Sequence, residues 1–268
     1  MNDISSSRPR IGLALSGGGA RGFAHVGVLK ALEELGLKPD IISGVSAGSI
    51  IGVLYASGYT PDQILELFKD LKFSDLAEIS VPKDGFFKLD RFKRFLKKSI
   101  KTELIENLQI PTLICATDLD NCKSVVFSQG SIIERVTASC SIPIVFKPIK
   151  IEGVNYVDGG VLRNLPAWAI RKKCDILIGV NVSPLVKRAY KQSLIEIAHR
   201  SYELMAKNNA IPDMKLCDVL IQTKSIAQEG TFKIKSMYNI AESGYKDALA
   251  VLKENPAFEK ILSQQISL

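Results

Sequence analysis

Histidine is nearly absent from this sequence of 268 residues, which contains only two, His25 and His199. The five cysteines are odd in number and widely spaced, and no two of them form a C-x-x-C pair. A zinc site built from cysteine and histidine is therefore not expected, and nothing else in the sequence calls for a cofactor. We expect the cysteines to be reduced, buried thiols, as in a cytosolic protein.

Long apolar runs are also lacking. No stretch approaches the roughly 20 apolar residues that span a bilayer, and the N-terminus has no apolar core of a signal peptide. We therefore expect a cytoplasmic protein whose contact with membranes, where it occurs, is peripheral. Residues 1–9, which are polar and rich in serine, are expected to form a disordered tail. With no internal repeat or linker, residues 10–268 are expected to form a single domain.

The most informative motif is Gly44-Val45-Ser46-Ala47-Gly48, which follows the apolar run of residues 40–43 and precedes a helical pattern. This is a G-x-S-x-G nucleophile elbow in the strand-turn-helix context that the motif requires. Glycine lets the backbone turn sharply, so we expect the Ser46 hydroxyl to be held above a sheet, where it can act as a nucleophile. The alternative is a glycine-rich turn with an incidental serine.

A serine hydroxyl needs a base to take its proton. His25 and His199 both lie in helical patterns, and neither follows the acid on a loop as the histidine of a hydrolase triad does, so we expect both to be structural. The base is then a carboxylate. The best candidate is Asp158, which ends a strand-like run and is followed by Gly159 and Gly160. The alternative is an ordinary Asp-Gly turn.

A third motif, Ser16-Gly17-Gly18-Gly19-Ala20-Arg21-Gly22, follows a strand-like run and opens a helix. Its backbone N–H groups could stabilise either a phosphate or an oxyanion. The spacing also fits a dinucleotide-binding loop, but the second strand ends at Ser43 and runs into the elbow, without the acidic residue that would hold a ribose. A P-loop is excluded because Gly22 is followed by Phe23. The oxyanion function is favoured.

These three motifs, in this order, resemble those of the patatin-like phospholipase family. The connecting residues 138–143 and 164–166 fit as well, and the resemblance covers about residues 11–182. It implies a three-layer fold, a catalytic dyad of Ser46 and Asp158, and hydrolysis of lipid acyl esters through an acyl-enzyme, as in a phospholipase A or lysophospholipase. The implied oxyanion hole comprises Gly17, Gly18 and Gly19. Supporting residues are Arg21, Gly22, Gly44, Gly48, Gly159 and Gly160.

Two other functions stay open at this point. An alcohol in place of water would resolve the acyl-enzyme and make the protein a lipid acyltransferase, and a non-catalytic lipid-binding protein could keep the fold. Arg21 either supports the loop, binds a lipid phosphate, or is simply solvated. The sequence does not predict the head group, the position of the ester, the chain length or the oligomeric state.

Strand-like runs alternate with helical patterns along the chain, which predicts an α/β fold with a mostly parallel central sheet covered by helices on both faces. Residues 183–268 are expected to add a C-terminal extension of helices and a strand. The predicted strands are 11–15, 41–43, 112–117, 176–182 and 219–223. The predicted helices are 22–35, 47–56, 62–71, 132–139, 193–207 and 240–253.

The formal net charge is +7, and much of it lies in residues 86–101, where seven basic residues face one acid, Asp90. Apolar residues recur at helical spacing from Phe92 onward. A basic amphipathic helix with aromatic residues is typical of a segment that binds lipid surfaces. The alternative is a surface helix whose apolar face packs on its own domain. Nucleic-acid binding is not favoured, because no recognition motif accompanies the basic residues.

Overall fold

The computed structural model describes residues 8–76, 78–79, 87–187, 189–190, 192–226 and 236–255. The strands in these ranges are β1 (Ile11–Leu15), β2 (Ile41–Val45), β3 (Glu78–Ile79), β4 (Phe87–Lys88), β5 (Thr112–Asp118), β6 (Lys123–Phe127), β7 (Ile149–Ile151), β8 (Val154–Asp158), β9 (Ile176–Asn181) and β10 (Val219–Gln222). The helices are α1 (Phe23–Glu34), α2 (Ala47–Ala56), α3 (Pro61–Phe68), α4 (Phe73–Leu76), α5 (Asp90–Ser99), α6 (Ile132–Ser139), α7 (Ala167–Ile170), α8 (Leu194–Asn209), α9 (Ile211–Met214) and α10 (Met237–Lys253).

Eight strands form one mixed sheet in the order β10-β9-β1-β2-β5-β8-β7, with β6 paired to β5 beside this path. The first five strands in this order are mutually parallel. By contrast, β6 and β8 run antiparallel to β5, and β7 runs antiparallel to β8. The sheet is mostly parallel, as the sequence predicts, but one side of it is antiparallel.

Helices cover both faces of the sheet and make three layers. Leu13 and Leu15 of β1 join a large apolar cluster with residues of α1, α2, α3, α6 and α10, whereas Ala14 joins a smaller cluster with α7. In β9, Ile178 belongs to the large cluster and Leu177 to the small one. Successive residues of a strand face opposite sides, so strands that are apolar throughout need cover on both faces.

The predicted strands and helices are all present, with shifts at their ends. β2 continues through Val45, so the first half of the elbow belongs to the strand. α3 begins at Pro61, because Thr60 caps it with a reciprocal hydrogen bond to Gln63. The sequence did not predict β6, β7 or the short pair β3 and β4. β6 is only partly buried, so its side chains lack the continuous apolar pattern of the central strands.

The structure bears on the predictions of a disordered N-terminal tail and of buried cysteines. The predicted tail falls mainly on residues 1–7, which lie outside the described residues, while Arg8 makes two hydrogen bonds to Asp40, at 2.7 and 2.9 Å. All five cysteines are free, but the prediction that they are buried is confirmed only for Cys115. Cys140, Cys174 and Cys217 are partly buried, and the prediction is wrong for Cys122, which is exposed in the turn between β5 and β6. Nowhere in the described ranges is a helix long and apolar enough to cross a membrane.

The basic segment forms α5, whose apolar side packs inward. Phe92 and Leu96 are buried in the core, and the ring of Phe95 lies 5.0 Å from that of Phe68. Phe86 lies outside the described residues. The helix is therefore a surface helix whose apolar face packs on its own domain, and its outward side is basic. The exposed basic residues of this helix are Arg91, Arg94, Lys97 and Lys98.

One edge of β5 brings two motif strands together. β6 pairs with one edge of β5. β2 and β8 both pair with the opposite edge, one after the other along its length. β2 runs parallel to β5 and ends with Val45 opposite Cys115. β8 runs antiparallel and ends with Asp158 opposite Ala116. The two strands thus run towards each other and stop at adjacent residues of β5, which places Asp158 beside Ser46.

Candidate active site

The nucleophile elbow holds Ser46 between β2 and α2 in a strained backbone conformation. Its φ of 51° and ψ of −123° lie in a region that residues with a side chain rarely adopt. The Ser46 amide donates a hydrogen bond to the Ser139 hydroxyl at 2.8 Å, and the Ser46 carbonyl accepts one from the Ser49 amide at 2.9 Å. These contacts hold the turn and leave the Ser46 hydroxyl facing a cavity.

Gly44 and Gly48 are needed because three backbone segments meet around this turn. A methyl group on Gly48 would lie 2.2 Å from the carbonyl oxygen of Leu15, and one on Gly44 would lie 2.6 Å from the carbonyl oxygen of Gly48. Both separations are well below the contact distance of about 3.5 Å between carbon atoms at their optimum. The two glycines therefore allow β1, β2 and α2 to approach closely, and it is Ser46 that carries the unusual φ.

The glycine-rich loop follows β1 and is tied to Asn164. The Gly17 amide donates to the Asn164 carbonyl at 3.1 Å, and the Asn164 side chain donates to the Gly17 carbonyl at 3.3 Å. The Gly17 N–H is thus engaged within the protein, and this residue positions the loop. Of the three predicted oxyanion donors, the amides of Gly18 and Gly19 remain as candidates, and both of these residues line the cavity.

His25 contacts the backbone at the start of the same loop. Its Nε2 lies 2.8 Å from the carbonyl oxygen of Ser16, the residue that opens the loop. Burial lowers the pKa of His25 to about 4, although the contact with Ser16 opposes this shift. A neutral imidazole that donates from Nε2 to a carbonyl fits the structural role predicted from the sequence, which stays a prediction.

Asp158 ends β8 and is almost wholly buried, with 1% of its surface exposed. Its Oδ1 accepts a hydrogen bond from the Gly160 amide at 2.8 Å. Burial raises the pKa of Asp158 to about 6, while the Ser46 hydroxyl, the Gly160 amide and the Tyr202 phenol favour the ionised form and limit the rise. Its Oδ2 is buried and has no hydrogen bond of normal geometry to any described residue.

The supporting glycines of the motifs lie at close contacts around the site. Gly22 ends a 3₁₀ turn, and a methyl group there would lie 2.5 Å from the Cβ of Ala47. Gly159 and Gly160 begin the 3₁₀ turn after Asp158. Gly22 therefore lets the glycine-rich loop pack closely on α2, and Gly159 lets its turn approach β5, where a methyl group would lie 2.8 Å from the Cys115 carbonyl oxygen.

α8 forms a wall of the site that sequence analysis missed. Its His199, Tyr202, Glu203 and Lys207 line the cavity that also contains Ser46. Burial raises the pKa of Tyr202 well above its usual value, and the nearby Asp158 charge adds to the shift, so the phenol stays protonated. His199 lies on a helix as predicted, but it faces the cavity. The signal available in the sequence was the recurrence of polar residues every three or four positions along this helix.

Arg21 is buried, which excludes the solvated alternative. Its Nη2 lies 3.3 Å from Oε1 of Glu203, and Nη1 of Arg200 lies 3.2 Å from Oε2 of the same carboxylate. Arg21, Arg200 and Glu203 are each less than a tenth exposed. This buried ion-pair network links the glycine-rich loop to α8.

The cavity at Ser46 is small. Its volume of about 30 Å³ has room for a water molecule or two, whereas sites for small organic ligands are usually about 300–1,000 Å³. It brings together Ser46, Asp158, the glycine-rich loop and Arg21, as the sequence predicts. In the described ranges, no cluster of three or more His, Cys, Asp or Glu residues is arranged to hold a metal ion.

Comparison with known proteins places these motifs in a family. A model of the patatin-like phospholipase family matches residues 13–170, which is more than half of the chain and includes both Ser46 and Asp158. The chain belongs to the patatin-like phospholipase family. α8 lies beyond the matched segment.

Curated relatives of this patatin-like protein are longer than it is. The lysophospholipase NTE1 of Kluyveromyces lactis is 32% identical over 218 residues, which cover 76% of this chain and 15% of that protein. An uncharacterized NTE family protein of Mycobacterium bovis is 35% identical over 182 residues, which cover 66% of this chain and 50% of that protein. The chain thus spans half or less of the length of these relatives.

A solved structure shows the same fold. The crystal structure of VipD from Legionella pneumophila matches with a TM-score of 0.53 and 14% identity, over 92% of this chain and 67% of that one. At this identity the similarity extends to the fold alone. The three-layer α/β architecture with a central, mostly parallel sheet is therefore patatin-like.

The raised pKa of Asp158 predicts a pH-dependent stability. Burial raises the pKa of its carboxyl from the usual 3.8 to about 6 in the folded protein, so folding favours the protonated form. The contribution of protonated Asp158 to the free energy of unfolding is fully present below the pKa that Asp158 has in the unfolded chain. This contribution is lost as the pH rises through 6, the pKa of Asp158 in the folded protein. Asp158→Asn keeps an acceptor for the Gly160 amide and removes the charge. We expect it to raise the free energy of unfolding by up to about 3 kcal/mol at pH 8 and by less than about 1 kcal/mol at pH 4.

Urea denaturation at the two pH values measures this difference. Asp62→Asn is a matched control, because the Asp62 side chain is 75% exposed and its loss should change little at either pH. An Asp158→Asn effect of the same size at pH 4 and pH 8 would mean that the buried charge is not its cause.

Proposed function

We propose that this protein is a serine lipid acyl hydrolase with phospholipase A or lysophospholipase activity. The observation that carries the proposal is the convergence of two buried residues, Ser46 and Asp158, in one cavity beside a glycine-rich loop. Membership of the patatin-like phospholipase family supports lipid esters as substrates. The relative named a lysophospholipase supports lysophospholipids among them.

In the acylation step, Oγ of Ser46 attacks the carbonyl carbon of the ester and its proton passes to Oδ2 of Asp158. The amides of Gly18 and Gly19 stabilise the negative charge that develops on the carbonyl oxygen. The tetrahedral intermediate then expels the alcohol portion of the lipid, which takes the proton from Asp158. The product at this stage is an acyl ester of Ser46.

In the deacylation step, Asp158 takes a proton from water as the water oxygen attacks the carbonyl carbon of the acyl ester. The tetrahedral intermediate then expels Oγ of Ser46, which takes the proton back from Asp158, and the fatty acid is released. An alcohol that replaced water would give acyl transfer by the same steps. Analysis of the products with and without an added alcohol acceptor separates hydrolase from acyltransferase activity.

Burial makes Asp158 a better base than an ordinary aspartate. At pH 7, a pKa of 3.9 would be about three units too low for efficient proton transfer, or about 4 kcal/mol. With a pKa of about 6 the shortfall is about one unit, or about 1.4 kcal/mol. One well-aimed oxyanion donor, at about 2.7 to 4 kcal/mol, more than offsets it. The dyad can therefore function without a histidine.

Substitution of either dyad residue tests the proposal. Ser46→Ala deletes one hydroxyl and should abolish both hydrolysis of a soluble short-chain ester and covalent labelling by a fluorophosphonate. Asp158→Asn cannot accept the Ser46 proton and should lower kcat by about 10² to 10⁴. Turnover retained by Ser46→Ala, with the melting temperature unchanged, would refute the proposed nucleophile.

Histidine variants are the control for the identity of the base. His199→Gln keeps a polar group at the cavity wall and should leave most of the activity, as should His25→Gln at the buried support of the loop. A loss of activity in His199→Gln as large as that in Asp158→Asn, with normal circular dichroism and melting, would point to a histidine base.

We also propose peripheral contact with membranes through residues 86–101. Because the apolar side of α5 packs inward, this contact is electrostatic and depends on the outward basic side. A basic residue near an anionic lipid surface contributes about 1 kcal/mol. The cytoplasmic location stays a prediction from the sequence.

Charge reversal on α5 tests the membrane contact. Replacing Lys93, Arg94, Lys97 and Lys98 by glutamate should reduce co-sedimentation with anionic vesicles and leave hydrolysis of a soluble ester unchanged. Wild-type binding should weaken with added salt, since the Debye length falls from about 10 Å at 0.1 M to about 3 Å at 1 M. Equal co-sedimentation of the two proteins would show that α5 is only a solvated surface helix.

A further inference from the structure

α8 is amphipathic, but its apolar side faces solvent and its polar side faces the protein. Leu194, Ile197, Leu204 and Met205 recur at helical spacing, which predicts a buried apolar stripe. They are exposed instead, Leu194 by 85% and Met205 by 53%. We call these four residues the outer face of α8. The inner face, which lines the cavity at Ser46, carries polar and charged residues.

The outer face is part of the largest concentration of exposed apolar residues in the described ranges. Thirteen large apolar side chains are exposed in all the described ranges together, and seven of these lie within residues 185–211. The described exposed residues from 192 to 212 include no charged side chain, whereas Lys187 is exposed nearer the start of the 185–211 segment. An uncharged apolar surface of this kind marks an interaction site. It does not suit an acidic or basic partner, and it does suit hydrocarbon.

α8 narrows the cavity that a lipid substrate must enter. With room for only a water molecule or two, the cavity cannot admit an acyl chain while Tyr202, Glu203 and Lys207 occupy its wall. The inner face of α8 is held largely by polar contacts, such as the Glu203 pair with Arg21 and a hydrogen bond from Asn209 to the Val161 carbonyl at 2.6 Å. Such a wall can separate at lower cost than a helix packed through an apolar stripe.

We infer that the outer face of α8 binds the surface of a lipid aggregate and that this binding moves α8 away from Ser46, which opens the cavity. The inference rests on the proposed function, because it needs a substrate that enters from a lipid phase. An α-helix with its side chains is about 10–12 Å across. A lipid surface on the outer face therefore lies within one helix diameter of the dyad, and α8 would act as a lid.

The lid is distinct from the contact proposed for α5. α5 offers positive charge and no free apolar stripe, so its attraction depends on anionic lipid and falls with salt. The outer face of α8 offers apolar surface and no charge, so its binding should persist on zwitterionic vesicles and at high salt.

The test measures how fast Ser46 is labelled by a small water-soluble fluorophosphonate, with and without vesicles of zwitterionic ether-linked phospholipid, which the enzyme cannot hydrolyse. In the wild type, we expect the vesicles to raise the labelling rate at least tenfold. Leu204→Gln/Met205→Gln replaces two exposed residues by a good helix former. We expect this variant to label at the wild-type rate without vesicles and to show little acceleration with them.

A matched control removes apolar surface elsewhere. Leu104→Gln/Leu119→Gln alters two leucines that are exposed by 39% and 48% outside α8, and it should keep the full acceleration. Equal acceleration of the wild type and the α8 variant, or none in either, would overturn the inference. A change from dimer to monomer in the α8 variant, without a vesicle effect, would instead assign the outer face to contact between copies of the chain. Absence of labelling in every protein would contradict the proposed function.

Discussion

The site depends on one constraint, the sharing of a single edge of β5 by two strands that run in opposite directions. β6 fills the other edge, so β2 and β8 can pair with β5 only in tandem, and their ends meet. That meeting places the elbow serine beside an aspartate that follows it by more than a hundred residues in the chain. The pairing of these two strands with β5 therefore sets the relative positions of Ser46 and Asp158.

Burial at this meeting point has two opposite effects. It raises the pKa of Asp158 towards that of a useful base, and the same desolvation makes the ionised carboxyl a cost to stability at neutral pH. α8 forms one wall of the cavity there, whose volume of about 30 Å³ has room for a water molecule or two. The exposed apolar surface on that helix is the feature through which we propose that a lipid phase widens the cavity.

Much of this site could be predicted from the sequence, because short motifs with strict backbone requirements carry it. The elbow, the Asp-Gly-Gly turn and the glycine-rich loop are local patterns, and the buried parallel strands appear as continuous apolar runs. The orientation of α8 could not be predicted in this way. Its apolar stripe predicts a buried face, but that face is exposed and the polar face lines the cavity. The engagement of the Gly17 amide with Asn164 also escaped prediction, since it joins segments far apart in the chain. In both cases tertiary contacts decide what local pattern cannot.

The pH dependence of Ser46 labelling by a fluorophosphonate tests the central claim most directly, because this reaction needs the nucleophile and its base but no lipid. The second-order rate constant of the wild type should rise with pH through a single ionisation near pH 6, the pKa of buried Asp158. In Asp158→Asn the rate should be low and should show no ionisation near pH 6. The same rise near pH 6 in Asp158→Asn would contradict the account, since another group would then be the base.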